Sequence, residues 1–314
     1  MNETTPWVEK YRPIQFDKIV LDNMNRRIFN NILERGYFPN LLFYGPPGTG
    51  KTTTIINLIN EYQNRFYKIS KSQIIHLNAS DERGIDIVRN QINTFVKSNN
   101  LFETGVKFVI LDEVDYMTKN AQQALKYLLQ SCNKNVKFCL ICNYICKVDE
   151  SLQNEFINIR FNQLPRDEIY KFINNLSENE NLNLTKDIIV SIQNIYQSDI
   201  RSIINFIQLN QGLNFEEWKN SVLNNSVYEN IHKYILNKET TIQEIHIYLH
   251  ETSLKYNTDK KTILQFYFDY LIRNKTELIN RDFLNIIKSV THCDYIANEE
   301  IIDYLCYYLR DHYL

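Results

Sequence analysis

Short apolar runs alternate with amphipathic stretches through the first half of the chain. Asn40–Tyr44 (Asn-Leu-Leu-Phe-Tyr), Gln73–Leu77, Phe108–Leu111, Val136–Cys142 and Ile157–Phe161 are runs of the kind that buried strands show. Between them, Thr52–Arg65, Ile85–Lys97 and Asn120–Ser131 carry helical spacing, and Ile85, Val88, Ile92 and Phe95 share one face of the second. Strands and helices alternating in this way predict an α/β fold with a parallel sheet covered on both faces. After Pro165 the pattern is helical throughout. Glu168–Glu178, Thr185–Ile195 with Thr185 as its N-cap, and Ile200–Leu209 form one group, which Gly212 closes as a C-cap. Ile231–Asn237, Thr241–His250, Thr262–Arg273, Arg281–Val290 and Glu299–Tyr308 then read as amphipathic helices, a module for assembly more than for catalysis. The predicted parts are 1–164, 165–212 and 213–314.

Composition supports that picture. Only 7 Gly and 6 Pro occur in 314 residues, and neither follows Gly212, which argues against an all-β or loop-rich chain. Hydrophobic residues at 44% argue against disorder. With 35 Lys+Arg against 37 Asp+Glu the net charge is −2, so the chain does not advertise a basic face of its own, and any DNA contact must come from a local cluster. No run of apolar residues is long enough for a membrane-spanning helix. Met1–Thr5 has neither the basic nor the apolar part of a signal peptide, so a soluble intracellular chain without a membrane partner is expected. The richness in Asn, Ile, Lys and Tyr reads as AT-rich codon usage, as in a large DNA virus or a protist. Of the six cysteines, Cys132, Cys139, Cys142 and Cys146 lie close in sequence, but Cys139 and Cys142 are three apart in a predicted strand. They would point to opposite faces, which argues against a shared zinc ion.

The three glycines Gly45, Gly48 and Gly50 surround Pro46 and Pro47, and Thr49, Lys51 and Thr52 complete the run. Following a strand and opening a helix, this is a Walker A loop, whose backbone N–H groups turn inward around phosphates at a helix N-terminus. Lys51 is then the residue for the β- and γ-phosphates, and the Thr52 hydroxyl is a Mg²⁺ ligand; Thr53 follows directly. Phe108–Leu111 ends in Asp112-Glu113, a Walker B pattern: Asp112 holds the Mg²⁺ shell and Glu113 serves as general base toward the attacking water. Asn143, at the end of the next apolar strand, is placed to hold that water or the γ-phosphate.

The chain resembles the small subunits of replication factor C, the clamp loader of eukaryotes, archaea and some large viruses, within the AAA+ ATPases. The resemblance is carried by Pro6-Trp7-Val8-Glu9-Lys10-Tyr11-Arg12-Pro13, by Leu77 to Ile85 (Leu-Asn-Ala-Ser-Asp-Glu-Arg-Gly-Ile) and by Asp112-Glu113-Val114-Asp115 with Met117-Thr118 and Ala121–Leu125. Cys142-Asn143-Tyr144 matches sensor 1, and Asp199-Ile200-Arg201 through Asn205 matches sensor 2. The match spans about the first 210 residues. It implies an AAA+ P-loop parallel-sheet domain, a small helical lid and an all-α collar, with ATP and Mg²⁺ as cofactors. Val8, Tyr11 and Arg12 would line the adenine pocket, and Arg201 would reach the γ-phosphate.

The resemblance further implies a hetero-pentamer with related clamp-loader subunits that opens a PCNA-type sliding clamp and loads it on primer–template DNA. Arg83, Ile85 and Arg89, with Lys126 on the next helix, are the DNA-contact candidates. Phe95–Phe102, with Leu101 and Phe102, lies where the family docks on the clamp. The family's arginine finger is absent: Ser151-Leu152-Gln153-Asn154-Glu155-Phe156 places Glu155 at that position. The chain alone would be a weak ATPase, because the arginine completing its site comes from another subunit. Two alternatives stay open, a nucleotide-binding but catalytically silent subunit of the same complex and another AAA+ ATPase of DNA replication. The compartment would be the nucleus in a eukaryote, or a viral replication compartment.

Overall fold

The computed structural model describes residues 5–67, 71–80, 87–98, 105–132, 135–182, 184–213, 217–218, 223, 225–256, 258–292 and 298–313. The chain divides into two compact units, residues 1–183 with 192–211, and residues 184–191 with 212–314. The segment 165–212, expected as a separate part, therefore falls in the first unit except for 184–191 and Gly212.

In chain order the first unit contains α1 (Trp7–Lys10), α2 (Asn23–Arg35), β1 (Leu41–Tyr44), α3 (Lys51–Phe66) and β2 (Ile74–Asn78). Then come α4 (Asn93–Lys97), β3 (Lys107–Asp112), α5 (Lys119–Ser131), β4 (Val136–Cys142), α6 (Glu150–Gln153), β5 (Ile157–Arg160) and α7 (Arg166–Asn179). α8 (Lys186–Tyr196), of which only Ile192–Tyr196 belongs to the first unit, and α9 (Ile200–Leu209) follow. The five strands are parallel in the order β2-β3-β4-β1-β5. Alternation along each strand splits the core in two. Phe43, Ile110, Cys139 and Ile141 pack on one face with Phe29, Ile55, Leu58 and Phe161. Leu42, Leu111, Leu140 and Cys142 pack on the other with Ala121, Leu125 and Leu152. Cys139 and Cys142 thus lie on opposite faces, as their spacing demands.

Several boundaries differ from the sequence expectations, each for a local reason. α2 escaped the pattern because its buried apolar residues are only Phe29, Ile32 and Leu33, with Ile28 partly buried beside them; its signals are the Asp22 carboxylate, which accepts from Asn25 N at 2.8 Å, and Gly36 at φ 65°. Where one continuous helix from Ile85 was expected, residues 87–92 form π-type turns that lead into the short α4, and 81–86 lie outside the described residues. α9 is closed not by Gly212 but by Asn210, whose N–H bonds to the Phe206 and Ile207 carbonyls and whose side-chain amide donates to Phe206 O at 2.8 Å. Thr185 immediately precedes α8, and its carbonyl accepts the Ile189 N–H.

The second unit contains α10 (Asn225–Leu236), α11 (Ile242–Tyr256), α12 (Lys260–Asn274), α13 (Arg281–His292) and α14 (Asn298–Tyr313). Ile235, Leu249, Ile263, Tyr267, Phe283 and Leu305 are buried between these helices. Arg310 on α14 donates to the carbonyls of Ile235, Asn237 and Thr240, closing the end of α10. Among the described residues, no helix is long and apolar enough to cross a membrane.

Candidate nucleotide site

The C-terminal ends of the parallel strands open onto a cleft of about 380 Å³ in the first unit. This is the end of such a sheet where ligands bind. β1 feeds the loop Gly45–Gly50, where φ is 142° at Gly45, 70° at Gly48 and 83° at Gly50. A side chain at Gly45 would strike the Phe161 carbonyl, 2.1 Å from an ideal Cβ. One at Gly48 would strike the Asp199 carboxylate at 1.9 Å. The loop is therefore wedged between the core and the start of α9, and glycine is the residue that fits. The Thr49 hydroxyl ties the loop to itself by donating to Pro46 O at 2.9 Å.

Lys51 opens α3 and is 6% exposed. Its ammonium donates to Gly45 O, Pro46 O and Asn143 Oδ1 at 2.9, 2.8 and 2.9 Å. Burial holds its pKa below the usual lysine range against the opposing pull of Asp112. Thr52 donates through Oγ1 to Asp112 Oδ2 at 2.6 Å, while Asp112 Oδ1 accepts the Glu113 N–H at 2.8 Å. Glu113 stands in the left-handed region at φ 57°, ψ 39°, a conformation that costs a non-glycine residue about 1–2 kcal/mol. The kink turns the chain sharply at the end of β3 with Glu113 on the cleft wall. Asn143 follows β4, and the next amide, Tyr144 N, donates to the buried Asp115 Oδ2 at 3.3 Å.

Sequence reasoning brought Val8, Tyr11, Arg12, Gly45, Pro46, Pro47, Gly48, Thr49, Gly50, Lys51, Thr52, Thr53, Asp112, Glu113, Asn143 and Arg201 to one site, and all of them line this cleft except Gly45 and Pro46, whose carbonyls instead hold the Lys51 ammonium. Arg12 Nε donates to Thr53 Oγ1 at 3.3 Å, joining the N-terminal segment to α3. Cleft residues it missed include Ile19, Val20, Asn78, Phe172 and Ile204. Asn78 could have been found, since it lies in a quoted motif and pairs in register with Asp112. Phe172 and Ile204 belong to helices far along the chain, and spacing alone gives them no signal.

The oxygens fit the groups the motifs imply. The Thr52 hydroxyl and the Asp112 carboxylate are hard donors of the kind Mg²⁺ takes, and the glycine loop offers backbone N–H groups at a helix start. The DNA candidates stand differently. Arg83 and Ile85 lie outside the described residues, as do Leu101 and Phe102; Arg89 sits in the π-type turns, its side chain outside them. Lys126 is half-buried on α5. Glu155 is exposed and accepts from Gln130 Nε2 at 3.2 Å.

The sequence profile of the ATPase family associated with various cellular activities (AAA) matches residues 41–164. Replication factor C subunit 3 of Schizosaccharomyces pombe is 38% identical over 205 residues, 65% of this chain and 59% of that protein. Replication factor C small subunit 2 of Pyrobaculum islandicum is 38% identical over 204 residues, 65% and 62% of the two chains. The probable replication factor C subunit 5 of Dictyostelium discoideum is 34% identical over 229 residues, 72% and 64%. The matched region spans about three fifths of the length of these relatives. Among solved structures, the Thermotoga maritima RuvB Holliday junction branch migration motor superposes with a TM-score of 0.54 over 84% of this chain and 91% of that one. At 14% identity that likeness concerns the fold alone.

Proposed function

We propose that the chain is a small subunit of replication factor C among the AAA ATPases, and that it hydrolyses ATP as one subunit of a clamp loader. The assembly would open a PCNA-type sliding clamp and place it on primer–template DNA. The carrying observation is the convergence of four separate motifs in one cleft, with Lys51 bonded to Asn143, Thr52 bonded to Asp112, and Arg201 lining the same cleft.

Each residue then has a task. The Gly45–Gly50 amides and Lys51 bind the phosphates, Thr52 and Asp112 hold Mg²⁺, and Val8, Tyr11 and Arg12 flank the base. Bound Mg²⁺ would supply charge neutralisation between the phosphates. Glu113 takes the proton of the attacking water, Asn143 orients that water, and Arg201 reads the γ-phosphate from the lid. Residues 1–164 are the catalytic core in this reading, 165–212 the lid and 213–314 the collar; in a eukaryote the work is nuclear. Arg83, Ile85, Arg89 and Lys126 are proposed to add weak, salt-sensitive phosphate contacts to those of neighbouring subunits.

The test is reconstitution from the native partners. The tagged chain is expected to co-purify with four related subunits and to support clamp loading on primed DNA that requires ATP. Recovery in a helicase ring, or loading indifferent to Lys51→Ala, would sink the reading.

A second reading, a subunit that completes no neighbour's site, is favoured by Glu155. A carboxylate at the finger position repels a neighbour's γ-phosphate, whereas an arginine there is worth orders of magnitude. Glu155→Arg is expected to raise the ATPase of the assembled complex about tenfold or more. Loss of activity in Glu155→Ala would show that the carboxylate itself is needed, contrary to this view.

A further inference from the structure

The N-terminal segment is bonded to the C-terminal end of α7 and to α9 in the first unit. The Trp7 N–H donates to Gln208 Oε1 on α9 at 2.9 Å. Trp7 is buried and meets the Tyr11 ring edge-on, with centroids 6.2 Å apart. The Tyr11 hydroxyl and the Lys10 ammonium both donate to one oxygen, Oε1 of Glu180, which caps the C-terminus of α7. On the other side the segment is anchored to α3, through Arg12 to Thr53 and through Asn57 Nδ2, which donates to Pro13 O at 2.9 Å. Tyr11 thus both lines the cleft and grips the lid, flanked by Val8 and Arg12 on the cleft and by Trp7 and Lys10 on the lid.

Gln208 lies seven residues beyond Arg201 on α9, two turns along the same face, with Ile204 between them on the cleft wall. α7 contributes Phe172 to the cleft and ends at Glu180. Neither Glu180 nor Gln208 touches the cleft, and nothing in the motifs singles them out.

We propose that Glu180 is a positioning residue for the nucleotide site, holding the base-side segment and the Arg201-bearing lid together through Tyr11 and Lys10. This rests on the ATP-hydrolysing reading above. Its consequence is that occupancy beside Val8, Tyr11 and Arg12 and placement of Arg201 are one event. A base seated against the segment favours the lid position in which Arg201 faces the phosphates.

An ordinary surface ion pair would not do this, being worth about 0–1 kcal/mol and easily exchanged for water. This one differs in two respects. The Glu180 side chain is 16% exposed, and two donors from adjacent residues share one of its oxygens. Partial burial alone would raise the Glu180 carboxyl, yet the bonds from Lys10 and Tyr11 carry its pKa below the ordinary value. The Tyr11 phenol is pushed upward by burial and by the carboxylate it faces. At neutral pH the pair is therefore fixed as phenol donor and carboxylate acceptor.

The experiment is titration of the full chain with fluorescent ATP and ADP analogues in Mg²⁺, well below the melting temperature. Glu180→Ala is expected to weaken ATP about tenfold and to shrink the preference for ATP over ADP, because the lost bonds are charge-assisted. Glu180→Gln, which still accepts from Tyr11 but lacks the charge, falls between wild type and Glu180→Ala. Tyr11→Phe adds little on top of Glu180→Ala, since both sever one link. In an Arg201→Ala background, Glu180→Ala no longer alters the ATP-to-ADP ratio. A lowered melting temperature with both affinities unchanged, or strictly additive Tyr11 and Glu180 effects, overturns the proposal while leaving the ATPase reading intact. If the wild-type chain binds neither nucleotide, both fall together.

Discussion

Glu113→Gln is expected to leave ATP bound while slowing its single-turnover hydrolysis by about 10²–10⁴-fold in the reconstituted complex, the usual worth of a positioned general base. The substitution is nearly isosteric, and what it removes is the ability to accept a proton. The Glu113 backbone N–H still bonds Asp112 Oδ1, and Thr52 still donates to Asp112 Oδ2, so the proposed Mg²⁺ ligands stay where they are. Binding residues such as Lys51 are untouched. Affinity and hydrolysis should therefore separate, whereas Lys51→Ala loses both together. The left-handed backbone at Glu113 sharpens the expectation, since strain is kept where a side chain must be aimed. A single-turnover rate within about threefold of wild type would remove Glu113 from the role of base. Nucleotide affinity falling in parallel with the rate would make its role structural instead.

Much of this site was legible because its parts are covalently close. Gly45 to Thr52 is one loop with a fixed chemistry, and the strands before it and before Asp112 are short continuous apolar runs. The pattern of a strand buried on both faces gave Val136–Cys142 to the residue. What was not legible depends on contacts between distant segments. Glu180 reaches Tyr11 and Gln208 reaches Trp7 only after the sheet and α7–α9 have formed, and no periodicity encodes such a meeting. α2 hid for another reason. Only three of its apolar side chains are buried in the core, and its own first residues, Asn-Met-Asn-Arg-Arg, are polar enough to pass for a loop unless Asp22 and Gly36 are weighed as caps. The misplaced Gly212 shows the converse error. A glycine near a helix end is a C-cap only when the chain needs a positive φ there, and Asn210 already satisfies the last carbonyls of α9.

The Gly48–Asp199 contact leads to the other large effect. An alanine at position 48 meets two independent obstacles. At φ 70° its backbone costs about 1–2 kcal/mol relative to glycine. Its Cβ would also fall 1.9 Å from Asp199 Oδ1 and 2.9 Å from the Asp199 Cα, so α9 as well as a side chain must give way. Asp199 is not free to move cheaply. Its carboxylate caps α9, accepting from Ser202 N at 3.1 Å and from Ser202 Oγ at 2.8 Å, and such a cap is worth about 0.5–2 kcal/mol. Together these give about 3 kcal/mol for Gly48→Ala, or about a hundredfold if the cost falls on nucleotide affinity. Gly50→Ala is the matched control. It sits at φ 83° with nothing within 4 Å of its Cβ, so only the backbone cost of about 1–2 kcal/mol applies. Urea unfolding without nucleotide, followed by Trp7 fluorescence in a Trp218→Phe background, reads the first unit alone, because Trp7 is buried there and Trp218 belongs to the second. Gly48→Ala should fall below Gly50→Ala by at least about 1 kcal/mol, and Asp199→Gly should recover part of that difference by making room at the cost of the cap. Equal losses at the two glycines would mean that the loop tolerates a side chain against α9, and that the lid is not seated on the phosphate loop through Asp199.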